Sequence, residues 1–205
     1  GARAKGLDVT VLWADHRNNP DFAADKAREW YEKDGVDAIF DVPNSAVALA
    51  VSEVTQKENK AFIDSGAATS DLTGARCSPN TLHWTYDTWE LAHGTGSAVV
   101  KAGGTSWLFL TVDYMFGYTL ERDTSAVVIE DGGTVLGDVK FARNTPDISS
   151  YVLEAQNSGA KVIGLASAGG DTINAIKQAA EFGIVQGGQK LAGLLVFITD
   201  VHALG

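Results

Sequence analysis

Apolar runs of strand length alternate along this chain with stretches of helical period, and that alternation predicts an α/β fold on parallel strands. Strands are expected over Asp8–Trp13, Ala38–Asp41, Ala61–Ile63, Trp107–Val112, Val135–Phe141, Val162–Leu165 and Gly193–Ile198, with helices between them. Asp21–Lys33 carries Phe22, Ala23, Ala27, Trp30 and Tyr31 near i, i+4 spacing, follows Pro20 and stops before Gly35. Ser45–Gln56 begins where Asn44 or Ser45 can cap it. Trp89–Lys101 stops at Gly103-Gly104, Gly117–Glu130 at Gly132-Gly133, and Thr172–Phe182 at Gly183. Pro146 suits a first helical position behind Thr145 and opens a helix running to Asn157.

The rhythm breaks at Thr81–Thr88, a short extended stretch that feeds a new βα series. A boundary there divides the chain into a first lobe over residues 1–87 and a second over 88–205. Almost nothing leads into the first expected strand, and no helix is expected after the last one. A crevice-forming α/β lobe needs more elements than these, so the sequence reads as part of a longer protein that lacks both ends.

Composition narrows the partners. With 45% hydrophobic and 20% charged residues and no biased tract, the chain is globular in type. A net charge of −10 argues against a nucleic-acid partner, which needs clustered Lys and Arg, and against an anionic membrane surface. No run reaches the roughly 18 apolar residues of a membrane-spanning helix. Single Cys77 has no disulfide partner and no metal-ligand companions. Residues Gly1–Gly6 show no apolar core of a signal peptide, and a mature secreted protein would look the same.

In open parallel sheets, ligands sit beyond the carboxyl ends of strands, where helix N-termini present free N–H groups. Four junctions qualify. After Asp41, Ser45 and the amides behind it can hold a carboxylate, or Asn44 or Ser45 simply caps the helix. After Ile63, the small residues of Asp64-Ser65-Gly66-Ala67-Ala68-Thr69 leave the backbone approachable, or form an ordinary turn-rich loop. After Val112, the rings of Tyr114, Phe116 and Tyr118 can sandwich a ligand, or pack into the core. After Leu165, Asp171 can accept a ligand hydroxyl or ammonium, or cap the helix that follows.

Catalytic patterns are weaker. The chain holds no G-x-S-x-G elbow, P-loop or H-E-x-x-H. Gly94-Thr95-Gly96 starts like a dinucleotide loop, but Val99 stands where the third glycine belongs and the run lies inside a helical stretch. His16, His83, His93 and His202 are scattered without ligand spacing. Asp15, Asp41, Asp64 and Asp200 stand at strand ends without a second group fixed beside them.

Taken together and in order, the runs Gly35–Ala50, Ser65–Thr73, Asp113-Tyr114-Met115-Phe116-Gly117 and Gly169–Ala179 resemble the leucine/isoleucine/valine-binding receptors of ABC importers, over nearly the whole chain. The resemblance implies a type I periplasmic binding protein fold, with two Rossmann-like lobes closing on a ligand. It implies a carrier rather than an enzyme, with no cofactor and no metal, working as a periplasmic monomer that serves an inner-membrane ABC permease. The residues it carries over are Ser45, Ala67, Ala68 and Thr69, which grip the ligand carboxylate, together with Tyr114, Phe116, Gly169 and Asp171 from the second lobe. Asp200 aligns loosely with an acidic partner for a ligand ammonium. The Asp-Val-Pro-Asn-Ser and Asp-Tyr-x-Phe-Gly variants look like the subgroup that binds aromatic acids of benzoate or phenylpropanoid type, with amino-acid receptors as the alternative. A ligand-sensing regulator domain and a hydrolase on a doubly wound sheet are the further alternatives.

Overall fold

The computed structural model describes residues 5–6 and 8–205. Helix α1 (Pro20–Glu32) starts where the Asn19 side chain accepts from Phe22 N, with Pro20 at the first helical position. Strands β1 (Ala38–Phe40), β2 (Ala61–Asp64) and β3 (Thr81–His83) form a parallel sheet in that order. Helix α2 (Ser45–Lys57) joins β1 to β2 and is apolar on most of its circumference, so Val47, Leu49, Val51 and Val54 are all buried. They pack with Ala23, Ala27 and Tyr31 of α1 and with Ile39 and Phe62 of the sheet. The Tyr31 hydroxyl keeps a partner in that core, 2.9 Å from Thr55 Oγ1.

The second sheet holds β4 (Ser106–Val112), β5 (Thr134–Phe141), β6 (Val162–Ala166) and β7 (Lys190–Gly193), parallel in the order β5-β4-β6-β7. β4 and β6 are central and covered on both faces, which is why they read as continuous apolar runs. Alternate residues of β4 serve opposite cores. Leu108, Leu110 and Val112 pack under helices α6 (Ser149–Asn157) and α7 (Gly170–Glu181). Trp107 and Phe109 pack with Leu120 and Val128 of α5 (Met115–Glu130). The chain passes from the first sheet to the second through Trp84–Asp87 and a helical stretch. That stretch comprises α3 (Thr88–Leu91), a π turn over Ala92–Gly96 and α4 (Ser97–Lys101). Gly94-Thr95-Gly96 therefore belongs to a helix, and Gly96 faces Thr124 and Val127 of α5.

Four expectations are corrected. Asp8–Trp13 runs without strand pairing, because no neighbouring strand offers it hydrogen bonds. The last strand lies at Lys190–Gly193 rather than Gly193–Ile198, and a closing helix α8 (Ile198–Leu204) does follow it. Phe197 N is drawn to Asp200 Oδ2 at 2.9 Å, which turns that apolar run into a helix start. Helix α6 begins at Ser149, not Pro146. The Pro146 carbonyl accepts from Asn174 Nδ2 and Gln178 Nε2 of α7, so the preceding loop is tied down rather than wound into the helix.

Candidate functional site

Two loops of the first sheet meet at its carboxyl edge. Behind β1, the Asn44 side chain caps α2 by accepting from Ala46 N at 3.0 Å and Val47 N at 3.2 Å. Capping thus falls to Asn44, and Ser45 becomes the first helical residue, 1% exposed. Behind β2, the Asp64 carboxylate is fully buried and accepts from Gly66 N and Ala67 N. Gly66 lies so close to the neighbouring loop that a Cβ would stand 2.9 Å from Pro43 Cα, and only glycine permits that backbone-to-backbone contact. Ser65 Oγ adds a 3.1 Å bond to Asp41 across the same seam.

The rest of that loop is held from below. His83 Nε2 lies 2.6 Å from the Ala67 carbonyl and 3.6 Å from Asp64 Oδ2. Burial pushes the Asp64 carboxyl upward, opposed by its backbone donors and by His83. Thr69 is fully buried, and its hydroxyl accepts from Asp71 N at the start of a 3-10 turn over Ser70–Leu72. Among the described residues, the backbone N–H groups of Ser45, Ala68 and Thr69 have no partner.

On the second sheet, α5 starts directly under the end of β4: a Cβ on Gly117 would overlap the Val112 carbonyl oxygen. This turn sets Tyr114 half-buried at the edge and Phe116 inside the core, with ring centroids 6.0 Å apart. Gly169 opens α7 with φ 55 and no side-chain cap. Asp171 does not cap α7 either; its Oδ1 accepts from Asn144 N at 2.9 Å, in the loop behind β5. In that loop the Arg143 guanidinium lies 5.3 Å from the Tyr114 ring centroid. Burial pushes the Tyr114 hydroxyl and the Asp171 carboxyl upward, and Arg143 opposes both shifts. No acidic side chain among the described residues forms an ion pair with Arg143.

The two sheets meet through these loops. Ala68 lies in one apolar cluster with Phe116 and Ala166, and Tyr86, Tyr114 and Ala168 pack against it. Thr88 N donates to the Ala68 carbonyl at 2.8 Å. Just outside, Ser70 Oγ and Thr88 Oγ1 both donate to Asp123 Oδ2, at 2.7 and 2.6 Å. Arg122 closes this clasp by donating to Asp71 at 2.8 Å and to Ser70 Oγ at 2.9 Å.

Of the residues singled out from sequence, Ala68, Tyr114 and Phe116 come to one place, with Ala168 packed against them and Asp171, in the first turn of α7, near Tyr114. Phe116 stands there as a packed wall, and the Thr69 hydroxyl is taken up by its own turn. Asp200 is withdrawn, buried and bonded to Phe197 N. Tyr86, Arg143 and Phe197 were not singled out. Tyr86 stands in the extended stretch before the crossing and lies 6.0 Å from Phe197, ring to ring. Among the described residues, no cluster of His, Cys, Asp and Glu could hold a metal ion. No described helix is long and apolar enough to cross a membrane.

The model of one protein family, described as periplasmic binding protein, matches residues 2–205. The chain belongs to this family. A periplasmic binding protein from Burkholderia mallei is 52% identical with a TM-score of 0.93, the match covering 98% of this chain and 53% of that one. A branched-chain amino acid ABC transporter periplasmic ligand-binding protein from Burkholderia xenovorans is 34% identical, with a TM-score of 0.77 and coverage of 98% and 54%. A solute-binding protein from R. palustris, solved with 4-hydroxybenzoate, shares the fold at 22% identity, with a TM-score of 0.78 and coverage of 88% and 49%. The chain spans about half the length of these proteins, and 46% of the curated Leu/Ile/Val-binding homologues it matches.

Proposed function

We propose that this chain forms the ligand-gripping part of a periplasmic receptor that captures a small carboxylate, of aromatic-acid type, for an ABC importer. Residues 1–87 and 88–205 act as its two lobes, and the receptor works as a monomer without catalysis. The observation that carries the reading is the shared apolar cluster in which Ala68 of the first-sheet edge meets Phe116, Tyr114 and Tyr86. Unpartnered N–H groups at Ala68 and Thr69 border it, another stands at Ser45 where α2 begins, and such groups suit a carboxylate, which helix and loop amides hold without a buried cation. Aromatic walls suit a flat body, and Arg143 with Asp171 offers both a donor and an acceptor at the far end. Closing the lobes then draws its free energy from contacts made in the closed form alone.

An amino-acid receptor is the second reading, favoured by the name of the Burkholderia xenovorans relative. It needs an acid for the ligand ammonium, and the withdrawal of Asp200 into its helix cap leaves Asp171 for that role. Calorimetric titration with benzoate, 4-hydroxybenzoate, leucine and valine separates the two. Binding of the aromatic acids at least tenfold tighter than the amino acids is expected. Leucine binding without benzoate binding overturns the aromatic assignment, and no binding of any of the four overturns the site.

A further inference from the structure

In the first sheet, the register of β2 with β3 sets His83 directly beside Asp64. Their side chains are 2% and 0% exposed, and both are bonded to the loop that follows β2. Among the described residues, Asp64 Oδ2 has no hydrogen-bond partner. His83 Nε2 stands 3.6 Å from it and meets the Ala67 carbonyl at 2.6 Å. A carbonyl oxygen only accepts, so that nitrogen carries a hydrogen and donates it. Asp64, as a carboxylate, favours the hydrogen there rather than on Nδ1.

The bond at Ala67 reaches beyond that residue. Its carbonyl and the N–H of Ala68 belong to one planar, trans peptide group, from which the two point in opposite directions. Fixing the oxygen on His83 therefore aims the Ala68 N–H away from the ring. Asp64 Oδ1 holds the preceding peptide by accepting from Ala67 N at 3.2 Å. Ala68 N has no partner among the described residues, and Ala68 lies in the apolar cluster with Phe116. A donor aimed in advance costs a ligand no reordering, and an engaged carbonyl polarises its own N–H.

We propose that His83 is a positioning residue for ligand capture: without touching the ligand, it aims and polarises the Ala68 N–H toward the ligand carboxylate through the Ala67–Ala68 peptide. The inference rests on Ala68 being part of the acid grip proposed above. The test uses the 205-residue chain with its histidines labelled for nitrogen NMR. Beside it stand two variants, His83→Gln, which keeps a donor, and His83→Met, which has none. Calorimetry measures benzoate, 4-hydroxybenzoate, leucine and valine on all three.

In the free wild-type chain, His83 should carry its hydrogen on Nε2, and its ring resonances should move when an acid saturates the site. His83→Met should weaken every acid that wild type binds by about tenfold or more, benzoate and 4-hydroxybenzoate alike, and His83→Gln by under about threefold. A bare Nε2 in wild type overturns the proposal, and that readout needs neither a ligand nor a folded variant. Unchanged affinity in His83→Met, or a folded His83→Gln as weak as a variant without a donor, overturns it while leaving the acid grip standing. Failure of wild type to bind any of these acids removes the grip itself and the inference with it.

Discussion

Replacing Asp123 by Ala removes the acceptor on which the first-sheet loop and the start of α3 converge. Asp123 Oδ2 takes the hydroxyls of Ser70 and Thr88 at 2.7 and 2.6 Å, and Thr88 is fully buried. Hydrogen bonds to an ionised group contribute about 1.5 kcal/mol or more each, so the pair is worth about 3 kcal/mol. Arg122 makes a useful contrast, because its side chain is 51% exposed while that of Asp123 is 10% exposed. Its ion pairs with Asp71 and with Asp123 Oδ1, both at 2.8 Å, are screened by solvent on the arginine side and together worth about 0–1 kcal/mol. Urea unfolding followed by circular dichroism and tryptophan fluorescence compares the two variants directly. With a slope of about 2 kcal/mol per molar, Asp123→Ala should lower the midpoint by roughly 1.5 M and Arg122→Ala by under about 0.5 M. If Asp123→Ala costs under about 1 kcal/mol, or Arg122→Ala costs as much as Asp123→Ala, the clasp does not rest on the carboxylate.

Gly66→Ala forces a Cβ against Pro43 and should weaken benzoate binding about tenfold or more by calorimetry, with a stability loss of about 1–3 kcal/mol; unchanged affinity would separate this seam from the site. Burial holds the Asp64 carboxyl above its ordinary 3.8, so the folded chain binds that proton more tightly than the unfolded chain does. Stability from this group accordingly falls as pH rises from about 4 through the folded value. Thermal melts should therefore show wild type gaining on Asp64→Asn as pH drops, and a pH-independent gap would refute the assignment. Arg143→Ala leaves no buried ion pair broken, so it should leave melting temperature within about 2 °C while weakening 4-hydroxybenzoate more than benzoate. Equal loss for both acids would remove Arg143 from the far end of the ligand.

Much of the architecture was readable because burial leaves a plain trace. β4 and β6 lie between helix layers and appear as unbroken apolar runs, while Asn19 with Pro20 and Asn44 mark their helices by cap chemistry. Asp8–Trp13 has a strand's composition, but a strand exists only with a partner, and local sequence does not report one. In Gly193–Ile198 the apolar run was real, since Leu194 and Leu195 are buried; the distant-looking Asp200 redirected it by bonding to Phe197 N. The π turn carries no local sequence signal; within it Gly96 lies against Thr124 and Val127 of α5, a tertiary contact. At the candidate site, strand ends pointed to loops of which Ala68, Tyr114 and Phe116 come together in one apolar cluster. Arg143 and Tyr86 were missed because their neighbours, Tyr114, Asp171 and Phe197, come from loops far off in the chain.

The Gly66–Pro43 seam divides the labour of the proposed cleft unevenly. Two loops locked backbone to backbone, with Asp64 and His83 bracing one of them, are shaped when the protein folds rather than when a guest arrives. Ordering entropy on that side is already spent before encounter, so the acid end can dock much as a key enters a fixed ward. Discrimination among guests then falls to the opposite rim. There Arg143 stands on the loop behind β5 and Asp171 in the first turn of α7 behind β6, and redesign of selectivity should begin with them.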